Sequence, residues 1–348
     1  MSWIWKLNVL FFAVLIISCT KKDNPPTASP SGDMDLWLVP PGKVLYKDLP
    51  KDRIQSIDYP HFINITESNL KPDDLVLIAS VENEIRVYPI SVMDVHEIVN
   101  DSVNDNFFSI TYCPLTESGM LWNREINGKV TEFGVSGMLF NENLMPYDRN
   151  TESIWSQMRL QCVHGSLMGK SPATNTLIET KFSTIQSAFP EAKVLEHDGC
   201  DSGVCGGFKE TAYLKNNPVE GDTIDLPRDQ NYFGVVNQEQ LLLFNTELFS
   251  DSIQLFTTSF RGSSLLVCGN KELHFYTAFV NKSSGKTFRA LQNSFPLIIE
   301  DNNGNRYNIF GTVKEGPEQG NHLEAATSYV ARTFAWELFF TNVTLFRR

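Results

Sequence analysis

Apolar residues run along this chain in short blocks, broken at regular intervals by clusters of Gly, Asn, Ser and Thr. That rhythm predicts many short strands. Leu75–Val81 reads as a buried strand and Glu84–Pro89 as its hairpin partner. Residues 91–99 predict a short helix, with Ser91 as cap and Val92, Val95 and Val99 on one face. A strand over 107–112 must stop at Cys113-Pro114, because proline removes a ladder donor and fixes φ. A hairpin-like stretch follows at 120–124, with a turn at Asn127-Gly128. Two further motif-like runs follow, at 132–139 and 147–157. Residues 181–189 predict a helix that Pro190 ends, and 193–195 a strand.

From Phe233 onward the pattern runs a second time. Residues 233–244 repeat the first hairpin, 264–269 stand where 108–114 stood, and 274–279 with a turn at Ser284-Gly285 echo 120–128. Residues 301–311 echo 148–155, and 316–320 echo 165–169. The chain therefore predicts a tandem duplication, with a first unit over 35–215, a second over 216–348 and a joint near 215–230. The expected fold is mostly β, in α+β style with few short helices, as two related barrel- or sandwich-like units. The second copy lacks a proline after Cys268 and has Asn302 in place of Arg149. The first copy is thus expected to hold the site.

The first 34 residues lie outside this rhythm. Residues 1–18 carry one lysine and an apolar run too short to span a bilayer as a helix, which needs about 20 residues. Ile16-Ile17-Ser18-Cys19 resembles a bacterial lipobox, with Cys19 acylated; the alternative is an ordinary signal peptide. Residues 19–34 are a polar, Pro/Ser-rich tether with no apolar face to bury. The expected localisation is the bacterial cell envelope, with a lipid anchor in the membrane and the body in the periplasm or on the outer surface. A net charge of −12 argues against nucleic acid or anionic lipid as a partner. The partner expected is a small molecule or a protein.

The densest chemistry lies between Phe107 and Gln157. The strings Thr111-Tyr112-Cys113-Pro114-Leu115, Phe133-Gly134-Val135-Ser136-Gly137 and Tyr147-Asp148-Arg149-Asn150-Thr151-Glu152-Ser153-Ile154-Trp155-Ser156-Gln157 follow one another in order. By these motifs the chain resembles the bacterial domain-of-unknown-function family 3179 over about residues 75–340. The family pattern reads Cys-Pro-Leu-Cys, whereas the fourth position here is Thr116. A Cys-x-x-Cys pair can cycle between dithiol and disulfide or clamp a soft metal; Cys113 needs a partner from elsewhere to do the first. The resemblance implies no reaction.

Cys113 is the leading candidate residue, as nucleophile, redox centre or soft-metal ligand, with Arg149 or Arg124 as the charge that lowers its pKa. The plain alternative is a buried cysteine at a strand end. Asp148 and Arg149 are candidates for general base and anion clamp, although the same residues make a good turn. Tyr112, Pro114, Trp155 and Gln157 are candidates to line a pocket, with the core as the better place for Trp155. Cys162 and His164 share one face of a predicted strand and suggest a metal half-site; a buried cysteine is the simpler reading. Cys200 and Cys205 predict a disulfide in an oxidising compartment, or a metal clip with His197. No complete ligand set is visible, and copper is the metal a lone soft thiolate suits best. Two readings follow: an envelope binding or scaffold lipoprotein with a pocket near Cys113, and a thiol- or copper-dependent redox protein.

Overall fold

The computed structural model describes residues 36–46, 50–196, 226–227, 230–283 and 285–348. The leader, Cys19 and its tether, the Cys200–Cys205 pair with His197, and most of the expected joint lie outside the described residues. Asp35–Arg348 forms one compact unit. Among the described residues no helix is long and apolar enough to cross a membrane.

An entry segment supplies β1 (Val44–Tyr46) and β2 (His61–Asn64). The first copy then runs β3 (Leu75–Val81), β4 (Glu84–Pro89), α1 (Ile90–His96), β5 (Ile98–Val103), β6 (Asn106–Cys113) and β7 (Ser118–Asn123). A small hairpin, β8 (Glu125–Ile126) and β9 (Lys129–Val130), precedes β10 (Phe133–Phe140), β11 (Asn143–Asp148), β12 (Ile154–Ser156) and β13 (Gln161–His164). It closes with β14 (Thr174–Asn175), β15 (Leu177–Lys181), α2 (Phe182–Ala188) and β16 (Lys193–Glu196). The second copy has β17 (Asn231–Asn237), β18 (Gln240–Asn245), β19 (Gln254–Phe260), β20 (Ser263–Asn270) and β21 (Phe275–Val280). It continues with β22 (Phe288–Ala290), β23 (Leu297–Asp301), β24 (Arg306–Asn308), β25 (Val313–Glu315) and β26 (Glu324–Ala325). Its last elements are β27 (Ser328–Arg332), α3 (Thr333–Phe339) and β28 (Asn342–Leu345).

Sheet order repeats with the sequence. The first hairpin lies in a sheet ordered β15-β3-β4-β16-β2, and its counterpart is β27-β17-β18-β28. In both, the strand after the helix joins parallel to the hairpin's second strand. The sheet β14-β7-β6-β5 is matched by β26-β21-β20-β19, and β10-β11-β12-β13 by β22-β23-β24-β25. The fold is mostly β, as two tandem related units.

Two local expectations change. The first helix is Ile90–His96, with Pro89 at its N-cap rather than Ser91. It stops because Glu97 takes φ 58°, and Val99 belongs to β5. The thiol correspondence also shifts. Cys113 pairs with Ser118 across the loop Pro114–Glu117, while Asn270 pairs with Phe275 across the loop Lys271–His274. The counterpart of Cys113 is therefore Asn270, and Cys268 matches Thr111.

Each copy has a core of its own and shares a further layer with the other. Alternation sends Leu77 and Ala79 of β3 against Phe108, Ile110 and Tyr112 of the same copy. Val76 and Ile78 point the other way, against Leu266, Cys268, Phe275 and Phe279 of the second copy. Burial on both faces is why β3 reads as a continuous apolar run. The reciprocal layer joins Trp122, Phe133 and Trp155 to Tyr232, Tyr329 and Trp336. Loops cross with the same reciprocity. Thr116 O accepts from Arg332 N–H at 2.9 Å, and Leu273 O accepts from the Thr180 and Thr184 hydroxyls at 2.7 and 3.2 Å.

Candidate functional site

Cys113 ends β6 where Pro114 breaks the ladder. Its side chain is 2% exposed and points toward the layer shared by the two copies. It nevertheless reaches a small cavity of about 30 Å³, bordered by Glu97, Pro114, Leu115, Met138 and Leu144. That is room on the order of one or two waters. The thiol donates weakly to Glu142 O at 3.7 Å. Burial pushes its pKa up, and the Glu97 carboxylate pushes it further; the Thr116 hydroxyl and N–H and the Leu144 N–H pull the other way. At neutral pH the resident form is the thiol.

Behind Cys113 lies a buried polar network, of which only Thr116 and Gln157 stood out in the sequence. The Thr116 and Ser118 hydroxyls are 2.9 Å apart, and Ser118 donates to Gln157 Oε1 at 3.0 Å. Asn143 Nδ2 donates to Thr116, Ser118 and Gln157 at 3.0, 3.3 and 2.7 Å. Gln157 Nε2 donates to the Thr111 hydroxyl and to Ser118 O, both at 3.1 Å. The Met158 N–H caps Asn143 Oδ1 at 3.1 Å. All five side chains are at most 1% exposed. In the second copy the same places hold Cys268, Leu273, Phe275, Phe295 and Ile309, which pack together as apolar core. One backbone thus accepts either filling. A well-packed apolar filling is commonly as stable as a buried polar one or more so.

The other candidates are placed as follows. Pro114 borders the cavity; Tyr112, one residue before Cys113 on the alternating strand, packs on the opposite side of the sheet. Trp155 is fully buried, donates to Asp148 Oδ2 at 3.0 Å and meets Phe133 edge-on. Gln157 is a network member, and neither it nor Trp155 borders the cavity. Asp148 is fully buried and accepts from the Thr151 N–H and hydroxyl at 2.8–2.9 Å, which closes the turn. The second copy keeps this hub, with Asp301 accepting from Asn303, Asn305 and Tyr307.

Arg149 is not the thiol's cation. Its guanidinium meets Asp58 at 2.6 Å, Glu132 at 3.2 Å and Asp52 at 3.3 Å, so three carboxylates consume the charge that an anion clamp would need. Arg124 is committed to Thr131 O and Asp101 O. The charge that Cys113 feels is the negative one of Glu97. The Cys162–His164 half-site also fails on direction. A register shift at Ile154/Trp155 disturbs the strand pairing. Cys162 is fully buried in the shared layer, its pKa raised to about 12 by burial, while His164 stacks on Trp37 at 4.3 Å and bonds Leu36 O. Among the described residues no group of three His, Cys, Asp or Glu is arranged to hold a metal. For copper, the cavity border holds Cys113 and one other sulfur-bearing residue, Met138.

Comparison with known proteins adds one match. No curated protein and no solved structure matches the chain. The family described as a protein of unknown function, DUF3179, matches residues 51–343, and the chain belongs to that family.

Proposed function

We propose that this protein is a membrane-anchored lipoprotein of the cell envelope that binds a small ligand at the Cys113 cavity. The observation that carries the reading is the cavity itself: a thiol at its floor, a carboxylate beside it and apolar walls otherwise. Its size favours an occupant of a few atoms, or the tip of a larger ligand. Residues 1–18 would direct export and Cys19 would carry the lipid.

The retained polar network favours a second reading, in which the thiol reacts. With hydrogen peroxide as oxidant, the Cys113 S–H would give a sulfenic acid and water, and the Thr116 and Leu144 donors would face the new oxygen-bearing sulfur.

Alkylation of the folded protein tests both, read by peptide mapping with iodoacetamide. The expected result is that Cys113 reacts slowly in the folded state, while Cys268, fully buried in apolar core, reacts only on unfolding. Equal protection of the two cysteines would remove the cavity as an open site. Dimedone capture at Cys113 after peroxide, absent in Cys113→Ser, selects the reactive reading; open access without capture leaves the binding one.

A further inference from the structure

The place in the second copy that corresponds to the Cys113 loop and its docking helix is not closed. It holds a cleft of about 430 Å³, within the usual range for small-molecule sites. Its floor is Leu273 and Phe295, the counterparts of Thr116 and Asn143. Its wall is α2, which contributes Ser183, Thr184, Ser187 and Ala188. Glu272 stands at the rim, where the first copy has Leu115.

The opening follows from a difference between the two helices. Phe189 N–H bonds Ile185 O at the end of α2, and Phe340 N–H bonds Trp336 O at the end of α3. In that register the wall residues Ser183, Thr184, Ser187 and Ala188 correspond to Phe334, Ala335, Leu338 and Phe339. All four on α3 pack into the layer around Cys113 and Leu115. On α2 the same turn of helix carries three hydroxyls and a methyl, which cannot fill the space. Core positions at an equivalent contact have thus become small and polar on one side only, and the result is a ligand-sized cleft rather than a collapsed contact.

We propose that this cleft binds a neutral, polyhydroxylated small molecule of mono- or disaccharide size. The lining chemistry selects that class. Lys181 is paired with Asp73 at 3.2 Å, which leaves no spare cation for an anionic ligand. The Ser183 hydroxyl can give and accept hydrogen bonds; the Thr184 and Ser187 hydroxyls, whose protons go to Leu273 O and Ser183 O, and the Glu272 carboxylate accept them, as sugar hydroxyls require. Phe295, Leu273 and Ala188 offer an apolar patch for the C–H face of a sugar ring. The site is independent of Cys113.

Isothermal titration of the intact protein with maltose, cellobiose and N,N′-diacetylchitobiose, beside the diamine putrescine, tests the assignment. The expected result is saturable binding of at least one saccharide below about 10 mM, in the millimolar affinity class. Ser187→Leu and Ala188→Phe, which copy the residues of α3, should weaken it at least about tenfold with an unchanged unfolding temperature. Glu272→Leu, on an exposed loop and copying Leu115, gives a second variant if the helix changes disturb folding. No saccharide binding, binding of putrescine alone, or binding that all three variants retain would overturn the proposal.

Discussion

At the scale of the residue, Cys113 is governed by what surrounds it rather than by its strand position. A thiol at the end of a strand before proline was legible in the sequence. The sign of its neighbouring charge was not. Arginines lie near it along the chain, yet their guanidinium groups are taken by Asp52, Asp58 and Glu132 in one case and by carbonyls in the other. The residue that acts on the thiol, Glu97, comes from the end of α1, where a left-handed φ turns the chain toward it. No periodicity marks such a residue. Because Glu97 raises the Cys113 pKa, Glu97→Gln lowers it, and the thiolate fraction at any fixed pH below that pKa rises. The pH profile of Cys113 alkylation in the folded protein should move to lower pH, with a rate at pH 8 up to about tenfold higher for a shift of one unit. A profile that does not move, or moves upward, would show that Glu97 does not face the thiol in solution.

At the scale of the element, the β6–β7 hairpin end is held from behind by side chains on two other segments, Asn143 and Gln157. Trp155 and Asp148 behave as the sequence suggested, one as core and the other as the hub of a turn, because both roles follow from local chemistry. The network of Thr111, Thr116, Ser118, Asn143 and Gln157 joins residues up to 46 positions apart, so no local pattern reveals it. The one signal available was the second copy, where every counterpart is apolar; that required the register Cys113↔Asn270, whereas the repeated pattern along the chain sets Cys268 there instead. Gln157→Leu removes two donors and one acceptor from the network and leaves the Thr111, Ser118 and Asn143 groups short of partners inside the core. The expected cost is about 2–4 kcal/mol, above that of an ordinary surface change, because buried polar groups lose partners that water cannot replace. Denaturant unfolding measures it. Gln157→Leu within about 0.5 kcal/mol of the parent would mean that the network relaxes or takes up water.

At the scale of the whole molecule, the duplication was readable because hairpin patterns and glycine spacings repeat, and the mode of assembly was not. Sequence repeats suggest two bodies that pack together. The structure instead gives each hairpin sheet two apolar faces, one buried in its own copy and one in the other. Tyr232, Tyr329 and Trp336 of the second copy complete the layer that contains Cys113, and Val76, Ile78 and Phe182 of the first complete the layer around Phe275 and Phe279. A first copy alone would leave Trp122, Trp155 and one face of β3 open to water, and the area lost is that of several large side chains, each worth roughly 1.5–3 kcal/mol on burial. Marginal stability of about 5–15 kcal/mol does not survive such a loss. The body should therefore unfold in a single transition, with near-ultraviolet circular dichroism and tryptophan fluorescence reporting the same midpoint. A fragment covering 36–196 should show no cooperative transition of its own. Two separated transitions in the intact body, or a cooperatively folded fragment, would mean that the shared layers are secondary to each copy's own core.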